Sequence, residues 1–208
     1  MKFETVIGLE IHAELSTNTK IYCSCENKFG GAENTRCCPV CIGLPGTLPT
    51  LNKKVVEYGM RAGLAMNCTI AKFCKQDRKN YFYPDLPKAY QISQLDLPIC
   101  VNGKVELSTG TVVRINNIHL EEDAGKLFHD DFYGQSLADY NRCSVPLIEI
   151  VTEPDMHSAE EAVEFVSKIG LYLKYLNVCD AKMQEGSIRA DVNVSLKPAG
   201  SPVLGDRA

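Results

Sequence analysis

Four stretches of this chain alternate polar with apolar side chains, and their polar positions include acids and a histidine. Alternate residues of a β-strand share one face, so each stretch would present a polar row opposite an apolar row. Carboxylates grouped with an imidazole are a suitable ligand set for a hard divalent cation. The alternative is a sheet with one solvated face. The polar rows are Glu10, His12 and Glu14 in Thr5–Leu15; the acids that end Arg114–Asp123; Glu149 and Glu153 in Pro146–Pro154; and Ser187, Arg189, Asp191 and Asn193 in Ser187–Leu196.

Two features of these rows leave a choice open. Glu121 and Glu122 are adjacent, and strand alternation lets only one of them face the other polar rows. The sequence does not decide which of the two does so. His12 also has a structural interpretation, as a hydrogen-bonded histidine of the core. The cation-site hypothesis therefore depends on the four strands lying side by side in matching phase.

Four of the ten cysteines form two pairs around one loop. The pairs are Cys23-x-Cys25 and Cys38-x-x-Cys41, and they lie in a cysteine-rich loop that we assign to residues 22–45. Four thiolates complete a tetrahedral shell for zinc and leave no open position, so the predicted role is structural. An iron–sulfur cluster and a set of free buried thiols are the alternatives.

Basic and tyrosine side chains interleave between residues 71 and 94. Such side chains can bind phosphates and stack on the bases of an unpaired nucleic-acid end. The alternative is a rim loop with ordinary tyrosines. The chain contains neither a glycine-rich phosphate loop nor a Gly-x-Ser-x-Gly elbow, so no glutaminase is visible in it. The candidate substrate-binding residues are Arg78, Lys79, Tyr81, Tyr83, Lys88 and Tyr90, together with Arg189 from the fourth row.

Two helices are predicted from apolar periodicity. The first covers Asn52–Met66, where Gly59 and Gly63 indicate close packing against a neighbour. The second begins at a capping box, Ser158-Ala159-Glu160-Glu161, and continues with an apolar stripe.

The remaining segments are predicted as strands and loops. Residues 3–25 fit two strands around a turn, residues 72–98 a long loop, and residues 101–107 a hairpin around Asn102-Gly103. Strands that occur in runs and alternate polar with apolar residues predict an α+β fold with a mainly antiparallel sheet. We expect one domain over residues 1–208.

Composition limits the functional classes. The chain is 45% hydrophobic and carries a formal net charge of −4, so overall charge does not indicate a general nucleic-acid or DNA binder. It has no run of about 18 apolar residues that would predict a membrane span. No signal or transit peptide is recognised, and paired cysteines in a reducing compartment more often bind metal. We expect a cytoplasmic protein without membrane contact.

Several long segments carry a resemblance to a known family. They are VIGLEIHAEL, DRKNYFYPDLPKAYQISQ, HLEEDAGK, DYNRCSVPLIEIVTEPD and MQEGSIRADVNVSL, and they extend from Glu4 to about Leu196. In these segments the chain resembles the B subunit of the aspartyl/glutamyl-tRNA(Asn/Gln) amidotransferases. The resemblance implies a cradle-shaped domain similar to glutamine synthetase and the guanidino kinases. It also implies an ATP- and Mg²⁺-dependent amidation of Glu-tRNA(Gln) or Asp-tRNA(Asn) through an acyl phosphate.

The resemblance also assigns roles to residues. It places catalysis on Glu10, His12, Glu149 and Asp191, and Mg²⁺ on Glu10, His12, Glu149 and either Glu121 or Glu122. It implies a heterotrimer in which an A subunit supplies ammonia from glutamine and a small C subunit braces the complex. Zinc is a subgroup feature of the family, held here by Cys23, Cys25, Cys38 and Cys41.

The resemblance also gives an expectation about the activity of this chain, and two rival functions remain. A further family acid would follow Ala208, as would a helical tail, so we expect this chain alone to be inactive. The rival functions are a non-catalytic, zinc-containing RNA-binding module and a stand-alone amine ligase that uses free glutamate. The sequence does not indicate which tRNA is preferred.

Overall fold

A six-stranded antiparallel sheet forms the centre of the molecule. The computed structural model describes residues 2–206. The sheet has the strand order β10-β1-β9-β6-β5-β2, and β3–β4 and β7–β8 form two separate hairpins. The mainly antiparallel α+β prediction is confirmed. The elements are β1 Phe3–Glu14, α1 Lys53–Ala65, β2 Thr69–Ile70, β3 Asp77–Asn80, β4 Tyr90–Ser93, β5 Cys100–Glu106, β6 Val112–Glu122, β7 Lys126–Asp130, β8 Gln135–Asp139, β9 Pro146–Thr152, α2 Ala159–Tyr175 and β10 Ile188–Pro198.

The core lies between one face of this sheet and the two helices. Ile11, Leu120 and Ile148 point from three neighbouring strands into it, and Val55 of α1 and Phe165 of α2 cover them. The burial of these apolar side chains is the main stabilising contribution to the domain. The opposite face of the sheet is left for the polar rows.

Register places the polar rows in line across the sheet. His12 on β1 lies opposite Arg189 on β10 and opposite Glu149 on β9. Glu149 in turn lies opposite His119 on β6. Directly paired residues have Cβ atoms about 4.5–5.5 Å apart, so backbone pairing alone brings an acid between two imidazoles.

Both helices begin as the sequence predicts. The Asn52 side chain accepts a hydrogen bond from the Lys54 amide at 2.9 Å, and the Ser158 hydroxyl accepts one from the Glu161 amide at 3.2 Å. These caps satisfy amides that have no partner within the first turn. Gly59 packs against the core, since a Cβ there would come within 2.8 Å of a Leu120 methyl carbon. The predicted close packing of α1 is confirmed.

Three local predictions are wrong. Residues 15–25 form no second strand; only an isolated bridge joins Thr19 to Glu26. Residues 101–107 form no hairpin: Asn102 takes a left-handed φ of 56° inside β5, and the chain reverses after Leu107. The predicted loop over 72–98 contains β3 and β4. β3 and β4 pair with each other within the predicted loop, and β5 pairs with β2 and β6. In these two segments sheet pairing, rather than the local turn residues, decides the structure.

Candidate metal and substrate site

The site is built from one histidine and two glutamates on three adjacent strands. His12, Glu121 and Glu149 each offer one ligand atom, and these atoms all lie within 4.8 Å of one another. His12 Nε2 is 3.4 Å from Glu121 Oε1 and 3.5 Å from Glu149 Oε2. Glu121 is 2% exposed, so its charge needs a partner. The donor set fits a hard or borderline divalent cation.

A second histidine faces the same two acids. His119 Nε2 lies 2.9 Å from Glu149 Oε2 and 3.7 Å from Glu121 Oε2, and its Nδ1 is 2.9 Å from Asn117 Oδ1. Ser93 Oγ donates to Glu121 Oε2 at 3.3 Å. Sequence analysis missed His119, although it stands two residues before Glu121 and therefore on the same strand face.

The acids and imidazoles of this cluster shift one another's pKa values. Burial lowers the pKa of His12, but hydrogen bonds to Glu121 and Glu149 outweigh it and raise the pKa to about 10. The same two acids raise the pKa of His119 to about 9 against its burial. Burial raises the pKa of Glu121, and the two imidazoles outweigh this and lower it to about 2. The pKa of Glu149 is also lowered. The two imidazoles and the two acids thus compensate each other's charge, and a divalent cation bound by the acids would replace protons on the imidazoles.

Further acids and an amide extend the site along the sheet. Asp191 Oδ2 lies 3.7 Å from His12 Nδ1, and Asp191 is directly opposite Glu10 in register. The Asn193 amide donates to Glu10 Oε1 at 3.1 Å. Glu10 and Asp191 therefore lie next to the three-residue cluster on the same face.

The two adjacent glutamates have different environments, which resolves the choice left by the sequence. Glu121 faces His12, whereas Glu122 faces the opposite side of the sheet and is also only 2% exposed. Glu122 accepts hydrogen bonds from the Lys88 ammonium, from the Ile92 amide at 2.9 Å and from Ser144 Oγ at 2.6 Å. Glu122 is thus not a member of the metal cluster.

Basic and aromatic side chains border the cluster on one side. A pocket of about 270 Å³ brings Lys79, Tyr81 and Arg189 together with His12 and Glu121. The Lys79 ammonium and the Arg189 guanidinium can bind an anionic group beside the acids. Lys79, Tyr81 and Arg189 are the predicted substrate-binding residues that the fold brings to the site.

The other predicted substrate-binding residues lie elsewhere. The Arg78 guanidinium sits over the Tyr90 ring at 4.5 Å, a cation–π contact. Tyr83 is 63% exposed, and Lys88 pairs with Glu122. The fold does not bring these four side chains to the His12 cluster.

Two further acids of the predicted polar rows, Glu14 and Asp123, lie at the end of the site. Asp123 Oδ2 accepts a hydrogen bond from Arg189 Nη2 at 2.9 Å and lies 3.6 Å from Arg142 Nε. Burial and repulsion from Asp123 raise the pKa of Glu14 to about 7. Asp123 therefore orients Arg189 at the edge of the pocket, and Glu14 is a second acid there rather than a member of the cluster.

The four predicted cysteines do come together. Cys23, Cys25, Cys38 and Cys41 each offer a sulfur within 4.8 Å of the others. Cys41 Sγ accepts a hydrogen bond from the Cys38 amide at 2.9 Å. A hydrogen bond from Cys23 lowers the pKa of Cys41 to about 5, against its burial. The arrangement fits a tetrahedral thiolate site.

Comparison with known proteins identifies the family of the chain. Residues 5–208 match the model of the GatB/GatE catalytic domain. The chain belongs to this family. Over 210 residues it is 64% identical to the B subunit of the aspartyl/glutamyl-tRNA(Asn/Gln) amidotransferase of Thermoanaerobacter pseudethanolicus, covering 100% of the chain and 44% of that relative.

Two more curated relatives are B subunits of the same kind of amidotransferase. The protein of Ruminiclostridium cellulolyticum is 64% identical over all of the chain and 43% of its own length. That of Lachnoclostridium phytofermentans is 61% identical over 99% of the chain and 44% of its own length. The chain thus spans less than half the length of these relatives. No helix within residues 2–206 is both long and apolar enough to cross a membrane.

Proposed function

We propose that this chain is the catalytic cradle in the B subunit of an aspartyl/glutamyl-tRNA(Asn/Gln) amidotransferase. It acts in the ATP-dependent amidation of Glu-tRNA(Gln), of Asp-tRNA(Asn), or of both. The observation that carries the proposal is the His12–Glu121–Glu149 cluster beside Lys79 and Arg189, in a chain that matches the GatB/GatE catalytic domain. A glutamine synthetase-like cradle over residues 1–208, including the cysteine-rich loop 22–45, is part of the same proposal.

The proposed reaction divides the work among the site residues. His12, Glu121 and Glu149 hold Mg²⁺, with Glu10 and Asp191 beside them. Mg²⁺ held by these residues would neutralise charge on a phosphoryl group in transfer from ATP to the side-chain carboxyl of the aminoacyl group. Lys79 and Arg189 bind anionic groups of the two reactants, the phosphates of ATP and the carboxylate that accepts the phosphoryl group. Tyr81 offers a ring face to the terminal base.

The second metal and the partners complete the proposal. The four cysteines hold a structural zinc ion. A glutaminase A subunit supplies ammonia, a small C subunit joins the two in a heterotrimer, and a misacylated tRNA is the substrate. We place the complex in the cytoplasm.

The rival function is a zinc-containing module that binds RNA without catalysis. It accounts for the cysteine cluster and for the tyrosines near residues 81–90. It does not account for two imidazoles facing two buried acids, which an RNA-binding surface has no need to contain. Consumption of ATP that depends on charged tRNA separates the two functions.

Glu149→Gln tests the proposed metal site. The substitution removes one ligand charge while keeping the shape, so we expect Mn²⁺ affinity to fall at least about tenfold. Electron paramagnetic resonance titration of the chain with Mn²⁺ measures this. Within the complete amidotransferase complex, Gln-tRNA(Gln) formation should be lost.

Glu153→Gln is the matched control. Glu153 belongs to the same predicted row but lies outside the cluster, where it accepts a hydrogen bond from the Asn116 amide at 2.6 Å. It should bind Mn²⁺ and support amidation like the unaltered protein. Full amidation by Glu149→Gln would contradict the assignment.

A further inference from the structure

Within residues 2–206, Lys20 is one of the largest side chains that the fold buries completely. Its exposed fraction is 0%. Lysine is almost never fully buried unless its ammonium is paired, because removing a charge from water costs much free energy. Within residues 2–206, no carboxylate oxygen lies within 4.0 Å of Lys20 Nζ. The ordinary counter-charge of a buried lysine is therefore missing here.

The contacts of Lys20 lead to the cysteine cluster instead. Nζ donates a hydrogen bond to the Arg36 carbonyl at 2.8 Å and points to Cys41 Sγ at 3.9 Å. Cys41 is the one buried member of the four cysteines and also accepts the Cys38 amide at 2.9 Å. The ammonium is thus placed on the sulfur that is furthest from solvent.

The charge of a loaded thiolate site explains this placement. Four thiolates carry four negative charges, and a divalent ion cancels two of them. The remaining two negative charges lie next to a low-dielectric interior, where a nearby cation stabilises them strongly. A cluster of four neutral thiols would leave the Lys20 ammonium without this compensation.

We propose that Lys20 is the built-in counter-ion of the cysteine site, which binds a divalent metal as a doubly negative tetrathiolate. Lys20 is a positioning residue rather than a ligand: it supplies one positive charge and an N–H donor to Cys41. The metal and the buried ammonium stabilise each other through this thiolate. The proposal is independent of the amidation reaction.

Lys20→Met tests the proposal, since it keeps the length of the side chain and removes the charge. Zinc affinity, measured by competition with a chelating indicator, should fall about 10- to 100-fold. Lys28→Met, in the exposed part of the same loop, is the matched control and should leave the affinity unchanged. Lys20→Arg keeps the charge and should bind zinc within a few-fold of the unaltered chain.

A stability cycle separates charge compensation from a purely structural tie to the Arg36 carbonyl. Lys20→Met should lower the free energy of unfolding more in zinc-loaded than in zinc-free protein, because binding linkage is reciprocal. Equal losses in the two forms, or an unchanged zinc affinity, would overturn the proposal. A loss of zinc affinity in Lys20→Arg as large as that in Lys20→Met would also overturn the proposal. If Lys20→Met folds only with zinc, the zinc concentration at half-folding supplies its affinity.

Discussion

At the scale of single residues, register decides more than residue type. His12, Glu121 and Glu149 were candidates from their spacing along the chain, and cross-strand pairing confirms that they meet. His119 could have been found by the same alternation that selected Glu121. The choice between Glu121 and Glu122 could not be made, because both are buried and each has partners on its own face.

Another residue pair gives a prediction on pH dependence. Arg114 donates to Asp155 from its amide and Nε at 2.9 Å and from Nη2 at 2.7 Å. Burial raises the pKa of Asp155, but Arg114 outweighs it and holds the pKa below its ordinary value. A carboxyl with a lowered folded-state pKa stabilises the protein above its unfolded pKa. That stability is lost as the pH falls through the folded pKa.

Asp155→Asn should therefore destabilise the chain at pH 7, by about 1 kcal/mol, since Arg114 is largely exposed and solvent screens the pair. The difference from the unaltered chain should narrow as the pH drops below 3.8. Urea unfolding from pH 7 to pH 3 measures both quantities. The exposed Asp131→Asn serves as control. A difference that stays constant down to pH 3 would rule out the ion pair as its source.

At the scale of elements, the sequence predicts strands and helices that bury one face. It does not predict which strands pair with one another in the sheet. The alternation of β1 and both helix starts are visible in the sequence, because each reflects a single boundary between core and solvent. In β10 the same alternation leaves Val192 and Leu196 more than half exposed. This follows from its position at the sheet edge, which is set by long-range topology. The β5 hairpin prediction failed for the same reason.

Helix α1 provides the element-scale prediction. A Cβ at Gly63 would lie 2.4 Å from Cys100 Sγ, so Gly63→Ala forces the helix away from β5. We expect a loss of about 1–3 kcal/mol, typical of overpacking. Chemical denaturation measures it, and Cys100→Ala in the same chain should recover part of the loss.

Gly170→Ala in α2 is the matched control. Its nearest contact for an added Cβ is 3.6 Å, to Ala181, so the helix preference of alanine should leave stability equal or higher. If Gly63→Ala is as stable as Gly170→Ala, the close approach of α1 to the sheet is not needed for folding.

At the scale of the whole molecule, hydrogen bonds outside the four cysteines join the cysteine-rich loop to the rest of the domain. Asn34 donates to the Ala138 carbonyl at 3.0 Å, and the Arg36 amide donates to Asn141 Oδ1 at 2.7 Å. The loop that follows β1 is therefore hydrogen-bonded to β8 and to the segment after it. The sequence predicted the metal ligands from their spacing, but not these distant anchors.

Replacing Cys38 and Cys41 by serine should release zinc and lower the melting temperature of the whole chain. Metal analysis should show about one zinc per unaltered chain, because four thiolates bind one ion. Calorimetry should show a lower melting temperature for the variant and for chelated protein. Cys37→Ser is the control, since Cys37 lies in the same loop outside the cluster. A metal-free chain of undiminished stability would contradict a structural zinc site.

The edge position of β10 has a consequence for amide hydrogen exchange. Within residues 2–206, β10 pairs only with β1, whereas β1 is paired on both sides. Opening one ladder exposes the β10 amides to deuterium, whereas β1 is released only when two ladders separate. Asp191 is thus carried by an edge strand, and His12 by a strand that is paired on both sides. We therefore expect the amides of β10 to exchange with deuterium faster than those of β1.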